Sequence, residues 1–240
     1  MYSFRMRVAG HVAEINANYP GVYYYCSDFV TEATPDFRIT VGLADIERER
    51  LLSEASGLDV SAYGDSLLEI TVVHRLLSNQ LAIRNVLAFH GAAIALHGKA
   101  FVFSGPSGVG KTTHILKWLI KHKDAKIING DKPFITASGK PIVWGSPWSG
   151  KERLYSVSSH RLDGILFLNR SKENKLQRLK PDSAFIEMYK SVYLPDDVDA
   201  RSIVVRDLKL LAVNLSFWRF AIDNHRDDCL RVAEDTLFGQ

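Results

Sequence analysis

The stretch Gly105-Pro106-Ser107-Gly108-Val109-Gly110-Lys111-Thr112 constrains this chain more than any other. It fits G-x-x-x-x-G-K-[ST] at every position. The apolar run Ala100–Ser104 feeds into it, and Ile115, Leu116, Leu119 and Ile120 follow at helical spacing. A strand, a glycine loop and a helix in that order predict a phosphate-binding loop. Glycines let backbone N–H groups converge on phosphate oxygens where a Cβ would intrude. The helix N-terminus adds positive potential at the same point. On this reading the loop and Thr113 bind ATP, Lys111 reaches the β- and γ-phosphates, and the Thr112 hydroxyl binds Mg2+.

A loop of this kind also needs an acid that holds the metal from an adjacent strand. Gly164–Leu168 reads as a buried strand but ends in Asn169-Arg170, which supplies none. Lys126-Ile127-Ile128-Asn129, followed by Gly130-Asp131, supplies one just past a short apolar strand. Asp131 is therefore the expected metal-linked acid and a candidate base for an acceptor hydroxyl; the competing reading is a plain turn aspartate. The charge of Lys132 faces either the γ-phosphate or water.

The rest of the chain reads as α/β. Val12–Ile15 and Val22–Cys26 are β-branched or aromatic around the turn-forming Asn18–Gly21, which predicts two strands, with a third at Phe37–Val41. Leu43–Ser56 reads as a helix with Ile46, Leu51 and Leu52 inward, and Asp65 or Ser66 caps a longer helix through Leu67, Ile70, Leu77 and Leu81. Ala92–Leu96 and Ala100–Ser104 predict a hairpin about His97-Gly98-Lys99. Strands follow at Phe134–Ala137 and Ile142–Trp144, then a helix from Asp182 to Val192, a helix start at Asp196–Arg201, and a last helix from Asp223 or Asn224 to Leu237. This gives an N-terminal α+β segment over 1–88 and a P-loop core over 89–240.

Charge and composition narrow the partners. Lys and Arg total 30 against 27 Asp and Glu, and the net +3 is not clustered, so no nucleic-acid partner is expected. Tyr23-Tyr24-Tyr25 lacks the interleaved Lys and Arg of a base-stacking surface. No apolar run approaches the ~18 residues of a membrane span, and Met1–Val8 has no signal-peptide core. Cys26 and Cys229 form no CxxC pair, so reduced thiols and a cytoplasmic setting are expected.

The stretch from His90 to Asp131 resembles the HPr kinase/phosphorylase family, which shares a P-loop core with ATP-dependent phosphoenolpyruvate carboxykinase. His90-Gly91 stands where those kinases have a histidine-glycine pair, Gly98 matches their hairpin glycine, and the loop has their internal serine-glycine. Asn129-Gly130-Asp131-Lys132-Pro133 and Gly145-Ser146-Pro147-Trp148-Ser149-Gly150-Lys151-Glu152 look like a subgroup labelled serine kinases, some associated with modified-peptide biosynthesis. The resemblance implies transfer of the γ-phosphoryl of ATP to a serine of a protein or peptide, with Asp131, His90 and Lys111 catalytic. It also implies a homo-oligomer built through the core.

One departure matters. The family carries two consecutive aspartates, the first as base and the second on the metal, whereas here Gly130 stands first. Either Asp131 performs both tasks, or His90 or Glu152 supplies the base, or the chain binds nucleotide without transferring phosphate. A small-molecule kinase or carboxykinase-type activity on the same core is the further alternative. The segment with Trp148, Lys151 and Glu152 is an acceptor-loop candidate; alternatively Trp148 plugs the core. His74, His97, His114, His160 and His225 read as solvent-facing or structural.

Overall fold

The computed structural model describes residues 1–239. Strands β1 (Tyr2–Val8) and β2 (His11–Ala17) form an antiparallel hairpin, and β3 (Phe37–Thr40) adds parallel to β2. The first strand escapes sequence reading because Arg5 and Arg7 interrupt its apolar residues. Those arginines are the outward half of a period-two pattern whose inward half is Phe4, Met6 and Val8.

Val22–Cys26, read above as a strand, instead lies in α1 (Gly21–Tyr25) and its C-cap. Pro20 at the N-cap already has a helical φ of −68°. The buried carboxylate of Glu69 accepts hydrogen bonds from the backbone N–H groups of Asn18 (2.6 Å) and Tyr19 (2.9 Å), fixing the turn into the helix. In α2 (Leu43–Ala55), Leu51 and Leu52 face solvent; the inward residues are Ile46 and Glu49, the latter paired to Arg75 at 2.9 Å. In α3 (Asp65–Ala82), Leu68, Val72, Leu77 and Leu81 are buried and Leu67 is exposed.

The larger sheet comprises β4 (Val86–Ala88), β5 (Ala92–Leu96), β6 (Lys99–Ser104), β7 (Lys126–Asn129), β8 (Phe134–Thr136), β9 (Ile142–Trp144), β10 (Ser159–Arg170), β11 (Lys175–Arg178) and β12 (Ser216–Ile222). The strand order is β4-β8-β9-β10-β6-β5-β7, with β12 pairing with β10 and β11 with β12. β10 runs parallel to β6 and to β12; the other pairs in this sheet are antiparallel. Alternate residues of the central strands supply two cores. Val102, Ile165, Phe167 and Phe217 meet α5 (Pro181–Tyr189) and α6 (Val198–Asn214), while Phe103, Leu166 and Phe220 meet α4 (Lys111–Lys121) and α7 (Cys229–Leu237).

Four expectations shift here. The buried side of α4 is Lys111, His114, Ile115 and Trp118, and Ile120 is 86% exposed. Its phase is disguised because Trp118 donates its indole N–H to His114 Nε2 (3.0 Å), so two polar side chains bury each other. α5 ends at Tyr189, and α7 begins at Cys229 rather than at Asp223 or Asn224. The acid-bearing strand β7 pairs with β5, so it is one strand removed from β6 instead of adjacent to it.

Packing continues across residue 88. Phe134 and Trp148 share a core with β1, β2 and α3, and β4 pairs with β8. Among the described residues no helix is long and apolar enough to cross a membrane.

Candidate nucleotide and phosphoryl-transfer site

β6 delivers the chain at Ser104, residues Gly105 to Gly110 form the loop, and Lys111 opens α4. Gly105 (φ +150°) packs so closely on β10 that a Cβ would stand 2.7 Å from the Leu168 carbonyl oxygen. Lys111 Nζ donates to the carbonyls of Gly105 (2.9 Å) and Pro106 (3.3 Å), folding the ammonium over the loop. Burial pushes the Lys111 pKa down, against the pull of Asp131.

Two residues that sequence reading missed brace the loop from its flank. Arg170 Nη2 donates to the Gly108 carbonyl at 2.5 Å, and Asn224 Nδ2 donates to that of Gly110 at 3.1 Å. Arg170 stands at the end of β10, the strand set aside for lacking an acid. The available signal was a cation at the C-terminal end of a strand parallel to β6. Asn224 gave none, because its place depends on how the chain leaves β12.

On the other side of the loop, His90 lies between β4 and β5. Its N–H donates to the Ser191 carbonyl (2.8 Å), and its own carbonyl accepts from Ser104 Oγ (2.7 Å). Ser104 also meets Ser191 Oγ at 2.9 Å, so the buried last residue of the loop strand fixes His90. Gly91 donates its N–H to the Asp131 carbonyl (2.8 Å), which draws the β7 turn alongside. His90 Nε2 then stands 3.4 Å from Asp131 Oδ1.

The Asp131 turn is held from within. The side-chain oxygen of buried Asn129 accepts from the N–H groups of Asp131 (2.8 Å) and Lys132 (2.7 Å). Its amide donates to the carbonyl (2.9 Å) and hydroxyl (3.0 Å) of Ser146, equally buried. Burial alone would raise the Asp131 pKa. The hydrogen bond from His90 and the charges of Lys132, His90 and Lys111 outweigh it and hold the carboxyl below the usual range.

A cavity of about 400 Å³ is lined by His90, Ser107, Lys111, Thr112, Asp131 and Glu152, among others. The structure thus brings together the loop, His90, Asp131, Lys151 and Glu152 in one place. Trp148 lines no part of it: the ring is buried 4.9 Å from that of His74, and its N–H donates to the Ile70 carbonyl. Lys132 points to a neighbouring cavity of about 340 Å³, which shares His90 and includes Arg75, Phe89, Lys190 and Tyr193. A third, about 430 Å³, lies across the loop beside Thr113, Arg170, Asn224 and His225.

These donors suit a nucleoside triphosphate with a hard cation. Lys111 and a helix N-terminus supply positive charge at the first cavity, and the oxygens of Thr112, Asp131 and Glu152 are Mg2+ ligand types.

No family model matches the chain, and no curated protein matches it. Among solved structures it is similar to the HPr(Ser) kinase/phosphatase from Coxiella burnetii, with 9% identity and a TM-score of 0.39. The match covers 62% of this chain and 89% of that one. That is a distant structural relationship and not family membership, too partial for fold or function to rest on it.

Proposed function

We propose that the chain is an ATP- and Mg2+-dependent kinase that transfers the γ-phosphoryl group to a hydroxyl, that of a serine in a protein or peptide. The observation that carries this reading is the meeting of His90 and Asp131, at 3.4 Å, in the cavity that Lys111 and Thr112 also line.

Each residue has a task in this reading. The amides of Gly108 to Thr112 and the Lys111 ammonium bind the triphosphate, and Arg170 holds the loop in shape. Thr112 and Asp131 would hold Mg2+, which offsets phosphate charge. Asp131, kept ionised by its neighbours, or His90, oriented by Asp131, accepts the proton of the serine hydroxyl. The serine oxygen bonds to the γ-phosphorus as the bond to the β–γ bridging oxygen breaks, leaving ADP and a phosphoserine. The catalytic contribution is positioning and charge stabilisation.

The neighbouring cavity, which shares His90, serves as the acceptor side in this reading. Lys132, Lys190 and Arg75 outnumber Glu49 there, which favours an acceptor with acidic groups beside its serine.

One observation favours a second reading, a nucleotide-binding module without transfer. Position 130 has no carboxylate, and Gly130 is closely packed against Ser149 and Leu154. Incubation with γ-labelled ATP, Mg2+ and serine-bearing peptides, including products of neighbouring genes, separates the two. Label on serine, lost in Lys111→Ala, supports the kinase. Tight ATP binding with no label on any acceptor supports the module.

A further inference from the structure

At the end of the molecule opposite the glycine loop, three segments converge. The two-residue turn between β5 and β6 carries His97, held at φ +51° with Gly98 at +76°, as a primed hairpin turn requires. α4 ends at its C-cap His122, about 16 Å along the helix from Lys111. Asp124 follows on the way to β7. One ring nitrogen from each histidine and a carboxylate oxygen of Asp124 all lie within 4.8 Å of one another.

The surroundings favour a cation. The last carbonyls of α4 put partial negative charge here. Glu234 of α7 lies 2.5 Å from His122 Nε2, a carboxylate–imidazole pairing that orients the ring. Two of the nearby ammonium groups have other partners: Lys121 pairs with Glu234 at 2.5 Å and Lys99 donates to the Leu237 carbonyl at 3.0 Å, while Lys123 is exposed. His97 and Asp124 are about half exposed, so water can complete a coordination shell.

We propose that His97, His122 and Asp124 form a binding site for a divalent transition-metal ion of the zinc class, separate from the nucleotide site. Two imidazoles and a carboxylate are a nitrogen/oxygen donor set that suits Zn2+, Ni2+ or Cu2+, whereas Mg2+ and Ca2+ favour oxygen alone. Tetrahedral ligands some 2.0–2.2 Å from an ion lie about 3.4 Å apart, a spacing inside the 4.8 Å within which these three donors already stand. Binding requires the 2.8 Å contact between His97 Nδ1 and Asp124 Oδ2 to yield. The ion would tie the β5–β6 turn to the end of α4, linking two elements that frame the glycine loop at their far ends.

The test is titration of EDTA-stripped protein with Zn2+, followed by calorimetry and thermal unfolding, with Co2+ absorption as a report on the ligands. One Zn2+ per chain, a rise in Tm of several degrees and a Co2+ spectrum of nitrogen/oxygen coordination are expected. His97→Asn with Asp124→Asn should weaken binding at least tenfold and abolish the Tm rise; asparagine tolerates the left-handed turn, so the fold is kept, checked by circular dichroism. Lys111→Ala should bind Zn2+ as the wild type does. Absence of binding, or binding indifferent to the His97 and Asp124 substitutions, overturns the proposal and leaves His97–Asp124 an ion pair only.

Discussion

Gly130 lies against the backbone of Ser149, so that a β-carbon at position 130 would stand 2.8 Å from the Ser149 carbonyl oxygen and 3.2 Å from that of Leu154. The segment that brings Lys151 and Glu152 to the site therefore occupies the space that a side chain here would need. The glycine at position 130 is tied to the course of this loop.

Gly130→Asp is accordingly expected to destabilise the protein by about 1–3 kcal/mol, the usual cost of overpacking, without raising phosphoryl transfer. Chemical denaturation and a transfer assay check this. A variant as stable as the wild type and more active would contradict it.

Asn129 shapes the turn that presents Asp131. Asn129→Ala leaves two backbone N–H groups and the buried Ser146 carbonyl without their partner. A loss of about 2–4 kcal/mol is expected from such unpaired groups. If the glycine loop binds MgATP as proposed, transfer should fall while MgATP affinity stays within a few-fold. Calorimetry with MgATP measures the split.

His74 and His114 are buried, and burial lowers each pKa from 6.5 to about 3. A histidine whose folded pKa is depressed binds fewer protons folded than unfolded between those values. Its contribution to stability is complete above pH 6.5 and is lost as pH falls toward 3, with a slope of at most about 1.4 kcal/mol per pH unit for each histidine. Denaturation midpoints measured between pH 7 and pH 4 should fall. His74→Phe, beside Phe134 and Trp148, should flatten the slope. An unchanged slope in that variant would exclude His74 as a source.

Lys132 and Lys190 line the cavity that shares His90. The double variant Lys132→Glu, Lys190→Glu should raise KM for acceptor peptides with acidic neighbours by about 2- to 10-fold, as partly exposed charges contribute modestly. KM for ATP should be unchanged. Steady-state kinetics on acidic and basic serine peptides reads this directly.

What was legible in the sequence was local. The β5–β6 hairpin, β7 with its trailing Asp131 and the glycine loop each announce themselves within a dozen residues. What was hidden depends on partners distant in the chain. α1 owes its form to Pro20 and to Glu69, and the inward side of α4 is marked by a buried His114–Trp118 pair that looks polar on paper. Arg170 and Asn224 reach the loop only because β10 and β12 end beside it. The resemblance names both His90 and Asp131 as catalytic candidates, but the contact between them is not legible in the sequence. Its physical cause, the Ser104–Ser191 clasp and the Asn129 turn, is tertiary.

In the proposed kinase, Asp131 serves phosphoryl transfer at a site where the glycine loop binds ATP. The most direct measurement is single-turnover transfer of γ-label from ATP to a serine acceptor, by the wild type and by Asp131→Asn, with MgATP affinity measured on the same preparations. Label on serine is expected with the wild type and a loss of about 10²- to 10⁴-fold with Asp131→Asn, while MgATP affinity changes far less. A wild type that binds MgATP but moves no label, or an Asp131→Asn variant that transfers as fast as the wild type, would contradict this role of Asp131.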